Sequence, residues 1–287
     1  MIYGTGDIID AENMGRVRQY DWVKNVNQVT AQGIWYDLTG ASGNPRAKQW
    51  FDAAPLAAQQ IKQSTDGGIF HGGAVSSLGM KKYLRSVKAL CASATPLPMS
   101  LMLCDYLLYY PSIEDGNTDP QTMDNTLPLP RYADGKGVQM MAVTISSRTG
   151  GQQFQVSYTN SDGVAGRTTA AVTQNTAAAP GSITTASTAT NSGGNPFIPL
   201  QDDDKGVRQI DSVQMLGADT GFFALVLVKP LLQTVIREID APYDKDALLF
   251  ANEMEEVQDD AYISALALPN GSLTGLAVRG NMRTIWG

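Results

Sequence analysis

The sequence predicts an α+β fold that is mainly antiparallel β, sandwich-like or barrel-like, with a few short helices. Strand-like runs follow one another along the chain instead of alternating with helices, which favours antiparallel sheets. Turn sequences such as Asn160-Ser161-Asp162-Gly163 and Pro269-Asn270-Gly271 separate neighbouring runs. Several runs also alternate apolar and polar residues, which is the period of a half-buried strand.

The clearest strand pattern lies between residues 138 and 174. Val138–Ser147 alternates apolar and polar positions, and residues 153–158 do the same. A further segment that contains Thr and Val follows at 164–174, after the Asn-Ser-Asp-Gly turn. These features predict a meander of three strands.

Two apolar runs predict strands that are buried on both faces. Residues 99–110 are densely apolar and bounded by prolines, which is typical of a buried and bent strand. Gly221–Val228 predicts a central strand that ends at Pro230, because proline cannot donate to the ladder. Residues 234–239 are then expected to form a separate strand.

Residues 77–92 are the clearest predicted helix. Apolar side chains recur there at three- and four-residue steps, and basic side chains occupy the other positions. We interpret the basic positions as a solvated face, with a contact for an acidic partner as the alternative. Shorter helices are expected within residues 50–61 and 245–257.

The composition narrows the class of protein. The chain has 287 residues, of which only 17% are charged, and its net charge is −7. The low charge is typical of surfaces that neighbouring proteins cover. The acidic balance argues against direct binding of nucleic acid, which needs a cationic footprint. The two cysteines, Cys91 and Cys104, are expected to be buried free thiols.

The expected organisation is an N-terminal arm at residues 1–30 and a single β-rich domain at 31–287. A sub-boundary is possible near residues 112–137, a long loop rich in Asp, Asn, Pro and Gly. Residues 1–7 lack a basic region followed by an apolar core, so no signal peptide is expected. The longest apolar run is too short to span a bilayer. We therefore expect synthesis in a cytoplasm and no contact with a membrane.

Two residues are candidates for catalysis. His71 is the only histidine and lies among glycines, where a base would still need a nucleophile and an orienting acid. Asp219-Thr220-Gly221 matches the aspartic-protease triplet, whose chemistry needs two carboxylates that share a proton. An ordinary turn accounts for the His71 segment and for the Asp219 triplet as well as a catalytic role does. We expect no catalytic residue, and a hydrolase using Asp219 or His71 is the alternative.

Two acidic segments were considered for metal binding. Asp115–Asp119 has the alternating oxygen ligands of a calcium loop, but Pro120 takes the glycine position and Thr126 the glutamate position. Asp202-Asp203-Asp204 is the second segment. We interpret both as exposed turns, with a loosely bound structural cation as the alternative. No metal site and no cofactor are expected.

Large aromatic residues are scattered along the chain, which favours core packing or protein interfaces over a glycan-binding platform. A glycan-binding module stays open as an alternative. The segments expected to contact partners are the N-terminal arm and residues 112–137 and 175–195. The interface candidates are Trp22, Trp35, Tyr109, Tyr110, Arg131, Tyr132 and Trp286.

Several phrases together resemble a family of uncharacterised virion structural proteins of tailed bacteriophages. None of the phrases carries known chemistry, so the resemblance transfers a class and no residue roles. The phrases are Gly33-Ile34-Trp35-Tyr36-Asp37-Leu38, Asp105-Tyr106-Leu107-Leu108-Tyr109-Tyr110-Pro111, Met123-Asp124-Asn125-Thr126, Leu129-Pro130-Arg131-Tyr132, Tyr158-Thr159-Asn160-Ser161-Asp162-Gly163-Val164 and Thr284-Ile285-Trp286.

The resemblance implies a non-enzymatic protein that is made in the host bacterium and located in the virion. The sequence has no long spine helix, and its polar, low-charge loops favour a capsid decoration or cement protein. A major capsid protein and a tail or neck protein are the alternatives. The implied partners are the major capsid protein or other virion proteins, and we expect a homo-oligomer.

Overall fold

A computed structural model describes residues 2, 4–176, 178–185, 194–251 and 254–287. Within these ranges the chain forms three α-helices, which are α1 (Thr5–Asn13), α2 (Gln63–Asp66) and α3 (Ala247–Ala251). Two short 3₁₀ turns cover Leu38–Gly40 and Ser76–Leu78. The strands are β1 (Val17–Val26), β2 (Tyr36–Asp37), β3 (Ser42–Asn44), β4 (Gln59–Gln60), β5 (Lys82–Cys91), β6 (Met99–Glu114), β7 (Gln121–Thr122), β8 (Gln139–Thr144), β9 (Gln153–Asn160), β10 (Arg167–Thr168), β11 (Val172–Thr173), β12 (Val207–Met215), β13 (Phe222–Ile236), β14 (Tyr243–Asp246), β15 (Tyr262–Leu268) and β16 (Leu276–Trp286).

The strands form three antiparallel sheets, so the predicted mainly antiparallel β fold with a few short helices is confirmed. The first sheet has the order β14-β5-β16-β1-β3. The second has the order β10-β9-β12-β7, with β11 also paired to β9. The middle sheet has the order β2-β15-β6-β13-β8, with β4 also paired to β6.

The long strands β6 and β13 connect the two outer sheets. They pair antiparallel along most of their length, from Phe222 opposite Glu114 to Ile236 opposite Met99. Residues 99–103 pack on the first sheet, whereas residues 107–113 pack on the second. Three register shifts between the strands let them change direction and face. One long apolar run therefore supplies the cores beneath both outer sheets.

Loops cover the face of the middle sheet that does not pack on the two outer sheets. Trp35, Trp50 and Ile61 pack there against strand residues such as Tyr106 and Val226. Trp50 stacks on Tyr106 with ring centroids 5.6 Å apart. Burial on both faces explains why this sheet lacks the alternation of a half-exposed strand.

The helix predicted over residues 77–92 is wrong, because residues 82–91 form strand β5 between β14 and β16. Two of the basic residues that were predicted to form a solvated face pair with acidic residues of the neighbouring strand β14. Arg85 contacts Asp246, and Lys88 Nζ lies 3.4 Å from Asp244 Oδ2. The basic residues are spaced as on one face of a helix. Their acidic partners lie in a remote segment, which the local spacing does not reveal.

Other local expectations have mixed outcomes. The buried strand at residues 99–110 and the strands near 138–147 and 153–158 are confirmed. The predicted three-strand meander is wrong, because β8 pairs with β13 in the middle sheet whereas β9 lies in the second sheet. β13 does not end at Pro230, because a register shift beside Pro230 lets the ladder continue to Ile236. Residues 50–61 form turns and β4 instead of a helix, and the helix within 245–257 is limited to α3 in the described ranges.

The N-terminal segment contains both a helix and a central strand. α1 buries Ile8 and Ala11 against Ile285. β1 pairs with β16 along its whole length and also with β3, so residues 17–26 lie inside the first sheet. This is where the sequence predicted an arm. The division into an arm and a single domain stays a prediction.

The small-residue segment at 175–195 is only partly described, since residues 177 and 186–193 lie outside the described ranges. Residues 178–185 run beside the free edge of β8. Thr144 N donates to Ser182 O, and Thr184 N donates to Ala142 O, each over 2.9 Å. This part of the segment therefore shields a sheet edge.

Cys91 and Cys104 are both buried free thiols, as expected. No helix within the described ranges is long and apolar enough to cross a membrane.

Candidate functional site

Four aromatic interface candidates are buried inside the chain. Trp22 is 2% exposed and packs over Gly280, and Trp35 Nε1 donates to Gly194 O over 2.9 Å. The Tyr109 hydroxyl donates to Asp52, and the Tyr110 hydroxyl is also held by hydrogen bonds. These rings fill cores and offer almost no surface to a partner. Their role as interface residues stays a prediction.

Arg131 anchors a long loop to the middle sheet. Its Nε lies 2.9 Å from Asp105 Oδ2, and its Nη2 lies 2.7 Å from Asp105 Oδ1. Nη2 also donates to the carbonyl oxygens of Ile61 and Tyr106. Burial raises the pKa of the Asp105 carboxyl, and Arg131 opposes that rise. The bidentate pair fixes the position of the loop that ends at Arg131.

Tyr132 lies beside this anchor and is half-buried. Its hydroxyl donates to the carbonyl oxygen of Glu256 over 3.1 Å. Its φ of 50° is in the left-handed region, where a residue other than glycine is uncommon. Arg131 and Tyr132 together attach the end of this loop to other parts of the same chain.

His71 is fully buried next to β15. Its Nε2 lies 3.0 Å from Ala261 O, whereas its Nδ1 has no hydrogen-bond partner among the described residues. Burial lowers the pKa of His71 to about 4, and the nearby positive charge of Lys82 contributes. The imidazole is therefore neutral near pH 7 and closed to solvent. This position gives a substrate no access to the ring.

Asp219 stabilises a turn at the start of β13. Its carboxylate accepts hydrogen bonds from the backbone N–H groups of Gly150 and Thr220. Its own N–H donates to Asp115 O over 2.9 Å. The Asp219 carboxylate is thus engaged by backbone groups of the turn. This agrees with the interpretation of the segment as a turn.

The first segment considered for calcium turns inward at Asp115. Asp115 Oδ1 accepts from Gln174 Nε2 over 2.6 Å and lies 3.4 Å from Arg148 Nη1. Burial raises the pKa of Asp115, and Arg148 opposes the rise. Arg148 Nη2 also donates to Thr184 Oγ1 over 2.9 Å. Asp115 is therefore occupied by an internal ion pair, contrary to the expected exposed turn.

The second acidic segment is only partly exposed. Asp204 accepts hydrogen bonds from the hydroxyl of Tyr158, from Asn160 Nδ2 and from Arg167 Nε. Asp203 is mostly exposed and pairs with Arg167. No group of three or more potential metal ligands occurs within the described part of the chain.

A buried network around Asp37 was not found from the sequence. Asp37 accepts hydrogen bonds from the indole N–H of Trp50 over 2.6 Å and from the hydroxyl of Tyr106 over 2.8 Å. Both the N–H and the hydroxyl of Thr39 also donate to it. Burial raises the pKa of Asp37, and these four hydrogen bonds oppose the rise. The only sequence signal was an acidic residue inside an aromatic run.

Two surface depressions adjoin Trp22 and Lys82, respectively. One, of about 480 Å³, is lined by Trp22 and Leu90 of the first sheet. Another, of about 410 Å³, is lined by Lys82 and Asp259. The Lys82 ammonium donates to Gly73 O and lies 4.0 Å from Asp259, so its charge is engaged within the chain.

Trp286 belongs to a partly exposed surface cluster that we call the basic–aromatic patch, defined by Arg18, Tyr20, Phe70 and Trp286, in which Arg18 and Phe70 are exposed and the other two are half-buried. The Arg18 guanidinium lies 5.2 Å from the centroid of the Trp286 ring. The rings of Tyr20 and Phe70 meet edge-on with centroids 4.7 Å apart. Gly72 lies close to both Arg18 and Tyr20, with a φ of 97° that favours glycine. Of the interface candidates, Trp286 alone lies in this patch.

A second exposed cluster lies at the far end of β6, and we call it the acidic–apolar tip. It is defined by Glu114, Asp119, Leu216 and Phe222. Phe222 pairs with Glu114 across the middle sheet. Gln214 donates to the carbonyl oxygen of Thr118, which holds the loop of Asp119 beside the end of β12. The tip lies partly in the 112–137 loop that the sequence singled out.

No known protein family matches the chain, and no curated protein matches it. Solved structures give faint similarities. The structure of infectious bursal disease virus Gx strain has 9% identity and a TM-score of 0.19, covering 94% of this chain and 79% of that chain. The infectious bursal disease virus VP2 subviral particle has 10% identity and a TM-score of 0.16, covering 94% of this chain and 80% of that chain. Similarity at this level carries no argument about function.

Proposed function

We propose that this chain is a non-enzymatic structural protein of a tailed-phage virion that decorates or cements the head through several protein–protein contacts. The resemblance of its sequence phrases to virion proteins of tailed phages supports the class. The internal hydrogen bonds of His71 and Asp219 support a structural protein over a hydrolase, because both groups serve the fold.

The proposal rests on two surface clusters of one chain, the basic–aromatic patch and the acidic–apolar tip. Each cluster combines charged and apolar groups. Tryptophan, tyrosine and arginine are the residue types most enriched in the energetic centres of interfaces. Arg18, Tyr20 and Trp286 place all three types together, with the half-exposed Phe70 beside them. Many modest contacts of this kind add up through multivalency on a repeating shell.

The test is to locate the chain in purified virions of its source phage. Virions are separated on a density gradient, the chain is identified by mass spectrometry, and antibodies carrying gold are imaged by electron microscopy. Gold on the head, with an amount below that of the main shell subunit, supports a decoration or cement protein. Gold on the tail or neck overturns that assignment. A chain that accumulates in infected cells and is absent from virions overturns the structural role.

A further inference from the structure

We propose that the basic–aromatic patch of one copy binds the acidic–apolar tip of a second copy of this chain in a head-to-tail contact. The inference rests on the proposed structural role, since it names one of the contacts through which that role is carried out. Charge complementarity and the apolar groups on both surfaces argue for it.

The patch presents a positive charge that the chain itself leaves unneutralised. Arg18 Nη1 donates to the carbonyl oxygens of Gly15 and Val17, over 3.0 and 2.8 Å, and Trp286 lies beneath the guanidinium. Within the described ranges no carboxylate forms an ion pair with Arg18. The group is therefore held in place and exposed, which lowers the entropy lost on binding.

Phe70 gives the patch its apolar component. Its side chain is 51% exposed even though one edge packs on Tyr20. Phe70 lies one residue after Ile69, which is bridged to Ile263 of β15, so the ring is attached to a rigid sheet. A partner that supplies both a carboxylate and an apolar group would match Arg18 and Phe70 together.

The tip has the complementary chemistry. Glu114 and Asp119 are exposed, and neither forms an ion pair within the described part of the chain. Phe222 is 41% exposed, and Leu216 is 50% exposed. Acidic and apolar groups thus lie together on the tip, as basic and aromatic groups do on the patch.

The two surfaces lie too far apart to satisfy each other within one copy. The patch adjoins β15 at Ile263, which pairs with Asp105 of β6. Glu114 lies nine residues further along β6, a span of roughly 30 Å. A contact between different surfaces repeats from copy to copy and generates a ring or a filament. Since each copy carries a net charge of −7, a local positive surface is needed for close approach.

The test compares self-association of wild-type and charge-reversed chains by sedimentation velocity. Arg18→Glu reverses the patch, and the pair Glu114→Lys and Asp119→Lys reverses the tip. We expect concentration-dependent association of the wild type that high salt weakens, and an increase in its dissociation constant of about tenfold or more for either variant alone. An equimolar mixture of the two variants regains association, because the reversed patch now meets the reversed tip.

Matched controls separate this contact from general charge effects. Arg237→Glu and Asp162→Lys change exposed charges outside both surfaces and are expected to associate like the wild type. Phe70→Ser keeps the charges and tests the apolar component. Circular dichroism melts verify that each variant is folded.

A wild type that stays monomeric over the whole concentration range overturns the proposal. So does a mixture that fails to regain association, or control variants that lose it equally. Location in the virion is measured separately with gold-labelled antibodies. A chain found on the head whose patch and tip variants associate like the wild type therefore overturns this inference and leaves the proposed function standing.

Discussion

The Asp105–Arg131 pair and the basic–aromatic patch place an arginine in opposite surroundings. Arg131 is buried and holds Asp105 through two contacts of 2.9 and 2.7 Å. Arg18 is exposed, lies over Trp286, and bonds only to backbone oxygens within the described ranges. A buried arginine must be neutralised where it lies, whereas an exposed one keeps its charge available to a partner. The same residue type thus holds the fold together in one region and keeps its charge at the surface in the other.

The largest effect is expected from breaking the buried pair. Arg131→Met leaves the Asp105 carboxyl buried without its partner, which costs about 3–5 kcal/mol of the free energy of unfolding. Urea denaturation measures the loss. The double variant Arg131→Met with Asp105→Leu removes both charges and should recover most of it. If the single variant is as stable as the wild type, the loop does not depend on this pair.

Acid should weaken the same buried region through His71. The folded-state pKa of His71 is lowered to about 4, below its ordinary value of 6.5, so the unfolded chain binds the proton more readily. Its contribution is therefore complete above pH 6.5 and is lost as the pH falls toward 4, by up to about 3 kcal/mol.

The contribution of His71 is isolated by comparison with His71→Gln. Denaturation of both proteins between pH 4 and 7 gives the stability difference between them, which should shrink as the pH falls. The raised pKa values of Asp37 and Asp105 act in both proteins and cancel in the comparison. A difference that is independent of pH would show that His71 titrates as it does in the unfolded chain.

A third prediction tests the close packing of buried Trp22 over Gly280. A Cβ added at Gly280 would lie 2.3 Å from Cζ2 of the Trp22 ring, so Gly280→Ala forces the indole to move. We expect a loss of about 1–3 kcal/mol in a thermal or urea melt. Gly6→Ala is the control, since nothing lies within 4 Å of that Cβ. Equal stability of the two variants would contradict the close packing of Trp22.

The smallest effect on stability is expected in the patch. Arg18→Met removes an exposed charge that has no ion-pair partner in the described part of the chain. The free energy of unfolding should change by less than about 0.5 kcal/mol. The comparison with Arg131→Met then separates an arginine that holds the fold from one that does not. A loss of several kcal/mol for Arg18→Met would place it with the buried pair.

The sequence predicted the class of fold because its local signals agree with the tertiary structure. Val156 and Tyr158 alternate with polar residues because β9 has one buried face and one partly exposed face. The apolar run at 99–110 predicted a buried strand because both faces of β6 are covered. In each case the side-chain pattern follows from the burial of that strand alone.

The errors arose where remote segments decide the structure. Arg85 and Lys88 of β5 pair with acidic residues of β14, which lies more than 150 residues further along the chain. Pro230 lies within β13 because a register shift removes the need for its N–H. Local periodicity contains neither piece of information, so it predicted a helix in one place and the end of a strand in the other.

The candidate surface was only partly predictable. Trp22, Trp35 and Trp286 are alike as sequence signals, but Trp22 and Trp35 are core residues, whereas Trp286 is half-buried beneath Arg18. The patch joins residues from β1, the loop before β5 and the C-terminal strand. Arg18 and Phe70 are separated by 51 intervening positions in the chain, and no short motif links them. The pairing of β1 with β16 brings Arg18 beside Trp286, and the bridge between Ile69 and Ile263 attaches the segment of Phe70 to β15.

Pro230 also bears on how copies of this protein stay separate. β8 pairs with β13 only as far as Val228, so residues 229–236 form a strand edge that a second chain could extend. Pro230 offers no donor there, and Lys245 Nζ occupies the carbonyl oxygen of Gln233 at 2.7 Å. Pro230 and Lys245 therefore hinder pairing of a second chain along this edge. Copies of this chain can then meet through side-chain surfaces while this edge of the sheet stays unpaired.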